Sequence, residues 1–68
     1  MPKAFHSPLY GRFVDLLASR RKAAGLTQAE VAKRLGRPQS FVAKYERGER
    51  RLDVVEYLDV AEAIGFDP

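Results

Sequence analysis

The chain has 68 residues, one histidine and no cysteine, and its 12 Lys and Arg against 9 Asp and Glu give a formal net charge of +3. That length allows one domain with a small core, marginal unless well packed or dimeric, and the lack of cysteine excludes a disulfide framework or a thiolate zinc site. No stretch has the length of a membrane-spanning helix or the apolar run of a signal peptide, so a cytoplasmic protein held together by helix packing is expected.

No internal repeat, low-complexity tract or linker divides the chain. Residues 1–6 read as a flexible N-terminal arm and residues 7–68 as the domain. Lys3 lies on that arm, where a frayed terminus is the expected state. His6 has no carboxylate or second histidine at ligand spacing, so it reads as an exposed or partly packed ring. Ser7 and Pro8 suit the N-cap and first position of a helix. Leu9, Phe13, Leu16, Leu17 and Ala24 form its expected apolar stripe, with Gly11 a mild weakness near the start and Gly25 the stop. Arg20, Arg21 and Lys22 gather near its C-terminal end, where cations favour the helix dipole. Arg21 alone of these falls on the inward side, which calls for a buried partner.

The next segment carries the strongest pattern. Thr27 and Glu30 form a capping box ahead of a second helix. Val31, Ala32 and Leu35 share one face of it, and Gly36 ends it through a left-handed conformation. Pro38 then opens a third helix, where its missing N–H costs nothing. Val42 and Tyr45 are that helix's inward pair, and Gly48 stops it. Its other face carries Gln39, Ser40, Ala43, Lys44 and Arg47, which are small, amide or cationic. Two helices joined by a short turn containing glycine describe a helix-turn-helix, whose second helix can enter a DNA major groove. Counted from Gln28, small Ala32 is fifth, Gly36 ninth, Val42 fifteenth and Tyr45 eighteenth. Close helix crossing requires this combination, whereas an ordinary helical hairpin in a small bundle does not.

Glu49, Arg50 and Arg51 follow. A charged loop is most often simply solvated, but its place directly after the reading helix favours phosphate contact for the arginines. Asp53 and Glu56 form a second capping-box-like start, and a fourth helix runs to Ile64. Val54, Tyr57, Leu58, Ala61 and Ile64 are its expected core face, Gly65 its cap, and Phe66 folds back on the last turn. Val55 lies off that stripe and, with Leu52 nearby, suits a dimer contact. Charge is unevenly distributed: Arg20 to Arg51 holds ten Lys or Arg against three Glu, whereas Leu52 to Pro68 holds five acids and no base. The positive charge is therefore gathered around the helix-turn-helix, as on a DNA-facing surface with an acidic back. No nucleophile–base arrangement, metal cluster or phosphate-cradling glycine motif is present, so neither an enzyme nor a cofactor is expected.

On GLTQAEVAKRLG from Gly25 to Gly36, YERG from Tyr45 to Gly48 and YLDVAEAIG from Tyr57 to Gly65, the chain resembles the phage repressor and Cro-type (XRE) helix-turn-helix domains. The resemblance spans roughly Phe13 to Phe66. It implies an all-α, compact four- to five-helix bundle of the lambda-repressor type, binding operator DNA as a symmetric dimer. Carried over by position, it implies a phosphate contact for Gln28 and base contacts for Gln39, Ser40 and Lys44. Arg37 lies where the turn meets the groove, and Glu46 matches a glutamate paired with an arginine of the first helix, here Arg21. Pro38 departs from the family, in which many members have a Ser or Thr N-cap. Gln39 suits adenine, and Lys44 or Arg37 suits guanine, while Gln28, Arg47, Arg50 and Arg51 would hold phosphates. The resulting expectation is a DNA-binding transcriptional regulator, a repressor homodimeric at least on a near-palindromic operator. The rival reading keeps the fold but assigns it to protein binding, as an antirepressor or the antitoxin partner of a toxin.

Overall fold

A computed structural model describes residues 7–68, so the expectations for the 1–6 arm, including Lys3 and His6, lie outside the described residues. Among those described there are four helices and no strand: α1 (Pro8–Ala23), α2 (Gln28–Leu35), α3 (Gln39–Glu46) and α4 (Val54–Ile64). The fold is all-α, with α2 and α3 forming the helix-turn-helix and α1 and α4 packed behind it.

The helix boundaries follow local chemistry. The Ser7 hydroxyl accepts the Tyr10 N–H at 2.9 Å, with Pro8 in the first turn of α1. Thr27 and Glu30 close a reciprocal capping box on α2, and Asp53 and Glu56 close another on α4. At the far end of α2, Gly36 takes φ 68°, and the Arg37 N–H turns back to the Ala32 carbonyl at 3.0 Å. A Cβ would find open space there, so the requirement for glycine is the positive φ itself. Pro38 occupies the N-cap of α3 rather than its first helical position and supplies no side-chain cap. The backbone substitutes in part, since the Phe41 N–H reaches the Pro38 carbonyl at 3.0 Å.

Leu17, Val31, Ala32, Phe41, Val42, Tyr45, Leu52, Val60, Ala63 and Ile64 make one buried cluster. The expected faces of α2 and α3 are the buried ones, with Phe41 added to Val42 and Tyr45. Those of α1 and α4 are rotated from expectation. In α1 Val14 and Leu17 are buried, while Leu9 is 73% and Leu16 53% exposed, and Ala24 lies at the surface. In α4 Val60, Ala61, Ala63 and Ile64 are buried, while Val54 and Leu58 are exposed. Both helices carry apolar residues on more than one face, so periodicity alone leaves their rotation open. Leu52, expected beside Val55 at a dimer contact, is instead a buried core residue, whereas Val55 is exposed. An aromatic seam joins α1 to α4: Phe13 stands 5.4 Å from both Tyr10 and Tyr57, and Tyr57 stands 6.4 Å from Phe66. The Tyr10 hydroxyl also accepts the Leu52 N–H at 3.0 Å, fixing the loop ahead of α4.

Tyr45 is the largest fully buried side chain. Its hydroxyl has no hydrogen-bond partner, and burial pushes its pKa well above the ordinary tyrosine value. Beside it, α3 is tied to α1 by an ion pair. Arg21 Nε donates to Glu46 Oε2 at 2.7 Å and Nη2 to Oε1 at 3.0 Å, while Nη1 donates to the Leu26 carbonyl at 2.9 Å. Only 11% of the arginine side chain and 8% of the glutamate remain exposed. Both charges have lost water, so the pair gains little over a well-packed apolar replacement, but removing one partner strands the other.

Arg21→Met alone should therefore destabilise the domain strongly, towards the roughly 3–5 kcal/mol typical of a broken buried pair. Adding Glu46→Leu should recover much of that loss. A thermal-unfolding cycle of the four proteins measures the coupling, and additive single effects would mean that the tie contributes nothing.

Acid should also loosen the caps. The Arg50 hydrogen bond, followed by that from the Asp53 backbone, holds the Glu56 carboxyl below its ordinary value of 4.5, and the Thr27 backbone does the same for Glu30. A depressed folded-state pKa gives stability that is present above the unfolded value and lost as pH falls through the folded one. Melting temperature should therefore fall below about pH 4.5, and the Glu30→Gln, Glu56→Gln double variant should show a shallower fall by circular dichroism.

Candidate nucleic-acid interface

The second helix of the helix-turn-helix presents one uniform outer face. Gln39, Ser40, Lys44 and Arg47 are exposed along α3, with Ala43 half-buried between them, while Phe41, Val42 and Tyr45 anchor the opposite side. The small residues Ser40 and Ala43 leave room for another surface to approach this helix, and the amide and cations around them offer directional donors.

Behind that face runs a chain of polar contacts that begins in the core. Glu46 Oε1, already accepting from Arg21, also accepts Gln28 Nε2 at 2.9 Å. A carboxylate can only accept, so the Gln28 amide must turn its NH2 inward and its oxygen outward. That oxygen in turn receives Gln39 Nε2 at 3.4 Å, a long and weak contact. Gln39 itself is exposed, with its carbonyl oxygen and a second amide hydrogen outside that contact. Gln28 is thus half-buried and partly committed to Glu46, and its oxygen gives Gln39 one weak contact.

The four arginines that flank α3 in the sequence are not equivalent. Arg37 does not share the face of Gln39, Ser40 and Lys44. Its guanidinium lies 4.4 Å from the Phe41 ring centre, and Nη2 donates to Glu56 Oε2 at 3.3 Å. Arg50 lies on the same ring at 4.9 Å and donates to both Glu56 oxygens, at 3.0 and 2.8 Å. Arg47 pairs with neighbouring Glu49 at 2.9 and 3.1 Å at the solvent-exposed surface, where such a pair contributes little. Arg51 stacks over Tyr10 at 4.5 Å. The expected base reader Arg37 and the expected phosphate contact Arg50 therefore come together on the flank of α3 that faces α4.

Sequence reasoning missed Phe41 as the platform for these cations and Glu56 as their shared acceptor. Phe41 follows Arg37 by four residues, which was a usable signal; the Glu56 link crosses helices and left none. Among the described residues no grouping of acidic, histidine or cysteine side chains could hold a metal ion, and no helix is long and apolar enough to cross a membrane.

Known proteins share this fold. A helix-turn-helix domain model matches residues 12–68. An XRE-family-like protein from Pseudomonas syringae pv. tomato superposes with a TM-score of 0.83 at 59% identity, over 85% of this chain and 71% of that one. The restriction-modification controller protein C.AhdI from Aeromonas hydrophila superposes with a TM-score of 0.82 at 31% identity, over 90% of this chain and 92% of its own. An uncharacterized HTH-type transcriptional regulator, y4dJ of Sinorhizobium fredii, is 40% identical over 45 residues, which is 66% of this chain but 58% of that relative. With the family model spanning most of the chain and the same bundle in both solved structures, the protein belongs to the XRE-type helix-turn-helix family.

Proposed function

We propose that this protein is a sequence-specific, double-stranded DNA-binding transcriptional regulator that lays α3 in the major groove. The observation that carries this reading is the outer face of α3, with Gln39 backed by Gln28 and Glu46. That face sets an exposed amide among small residues and cations, the mix of donors, acceptors and room that base readout uses. Gln39, Ser40 and Lys44 read base edges. Gln28, Arg47, Arg50 and Arg51 hold phosphates and set register. The contacts of Arg37 support a phosphate on the flank of α3 as its partner rather than a base at the groove floor. Occupancy of a promoter is enough to repress, so repression in the cytoplasm is the role assigned.

Dimerisation is part of this reading. A single recognition helix spans few base pairs, too few for tight specific binding by so small a module. Val54, Val55 and Leu58 on α4, with Leu9 and Leu16 on α1, are large apolar side chains left exposed, and they suit a contact with a second copy. The protein-binding alternative, an antirepressor or antitoxin partner, would also use that apolar surface. It would leave the polar face of α3 without a task.

Gln39→Ala should change which bases are tolerated within a half-site and cost about 1–3 kcal/mol on the best site. Selection from random-sequence DNA, followed by binding titrations of both proteins, checks this. Unchanged preferences would remove α3 as the reader.

Footprinting on a selected site should show two inverted half-sites about 34–36 Å apart, one helical turn on the same side of the duplex. A single unpaired half-site protected at saturation would overturn the dimer.

A further inference from the structure

Glu56 does two things at once, and only one of them concerns helix capping. Its carboxylate accepts the Asp53 N–H at 3.0 Å, and the Glu56 N–H returns to Asp53 Oδ1 at 2.7 Å. That pins the side chain to the first turn of α4. The same two oxygens receive Arg37 and Arg50, which approach from opposite ends of α3 and share the Phe41 ring. The carboxylate is largely enclosed, with 13% of the side chain exposed, whereas 42% of Arg37 and 39% of Arg50 remain open to solvent. Two cations that present themselves to the surface are therefore held by one anion behind them.

The consequence for binding follows from counterion release. Nonspecific affinity for DNA grows with the number of phosphates a protein neutralises, and each adds close to one unit to the salt slope. Two unrestrained arginines beside the reading helix would bind any duplex. With Glu56 in place the cluster carries one net positive charge instead of two, and its guanidiniums are fixed over Phe41. Free arginines could chase phosphates of any geometry, but these can meet only phosphates that come to them when α3 is seated.

Resting on the DNA-binding reading above, we infer that Glu56 is a specificity-determining residue. It restrains Arg37 and Arg50 so that they contact phosphate only in the register set by α3, and it thereby lowers affinity for nonoperator DNA. Glu56 touches no base and acts through the two arginines.

Glu56→Gln tests this, because glutamine can still complete the capping box while losing the charge. Thermal unfolding at neutral pH verifies that the variant is folded. Binding is titrated from about 50 to 200 mM salt, against a mixed-sequence duplex and against the best site selected by the parent. The variant should bind the mixed duplex on the order of threefold to tenfold more tightly at the lower salt, with a salt slope steeper by about one. Affinity for the selected site should rise less, so the discrimination ratio falls. The same substitution made in an Arg37→Ala, Arg50→Ala background separates action through the arginines from the simple loss of a negative charge. There it should leave the slope and the ratio unchanged.

An unchanged ratio in the single variant, or an equal gain in the arginine-free background, overturns the inference while leaving the DNA-binding reading intact. A parent that binds neither duplex at any salt overturns both.

Discussion

The Glu46 carboxylate is the point on which the candidate site depends. It stands at the last residue of α3 and accepts from α1 through Arg21 and from the first residue of α2 through Gln28. Three helices therefore meet at one acceptor. Its removal would strand a nearly buried guanidinium and release the Gln28 amide. Coulomb attraction between Arg21 and Glu46 is largely offset by desolvation, so the pair is better understood as fixing an arrangement than as adding stability. The hydrogen bonds it donates to Glu46 hold the Arg21 guanidinium firmly in its charged form, and Arg21 also satisfies the Leu26 carbonyl just past the end of α1.

That fixing matters because α3 has little capacity to hold itself. Eight residues without a side-chain cap are far too short to persist as an isolated helix. Its conformation is imposed by burial of Phe41, Val42 and Tyr45 and by the turns at its two ends. Tyr45 contributes the most volume, yet leaves its hydroxyl unpartnered, a cost that the surrounding apolar burial must exceed. The rigidity of the exposed face of α3 is thus borrowed from residues with no surface of their own. A change at Tyr45 or Arg21 would alter the angle of Gln39 and Lys44 without touching either.

What was legible in the sequence was what local chemistry decides. The capping boxes at Thr27 and Asp53, the stop at Gly36 and the inward positions of α2 and α3 each depend on residues within a turn of one another. The rotation of α1 and α4 was not legible. Val54, Tyr57, Leu58 and Ala61 make as good a helical stripe as Tyr57, Val60, Ala61 and Ile64, and only packing against the other helices chooses between them. The outer face of α3 could be read, since the inward pair fixes it by exclusion. The partners of Arg37 and Arg50 could not, because a basic residue in a turn carries no mark of which acid it will meet across the bundle.

Small size sharpens this economy of groups. A chain that buries so little has few polar side chains that it can spare for one task. Glu46 therefore joins three helices and holds the Gln28 amide, while Glu56 caps a helix and gathers two cations. The acidic character of α4 acquires a structural meaning from this placement. Read as a sequence, the five acids after Arg51 look like a back face turned away from DNA. Yet Glu56, in the first turn of that helix, is ion-paired with Arg37 and Arg50. The acidic segment is therefore not simply remote from the basic residues around α3: its first turn holds two of them by a shared carboxylate.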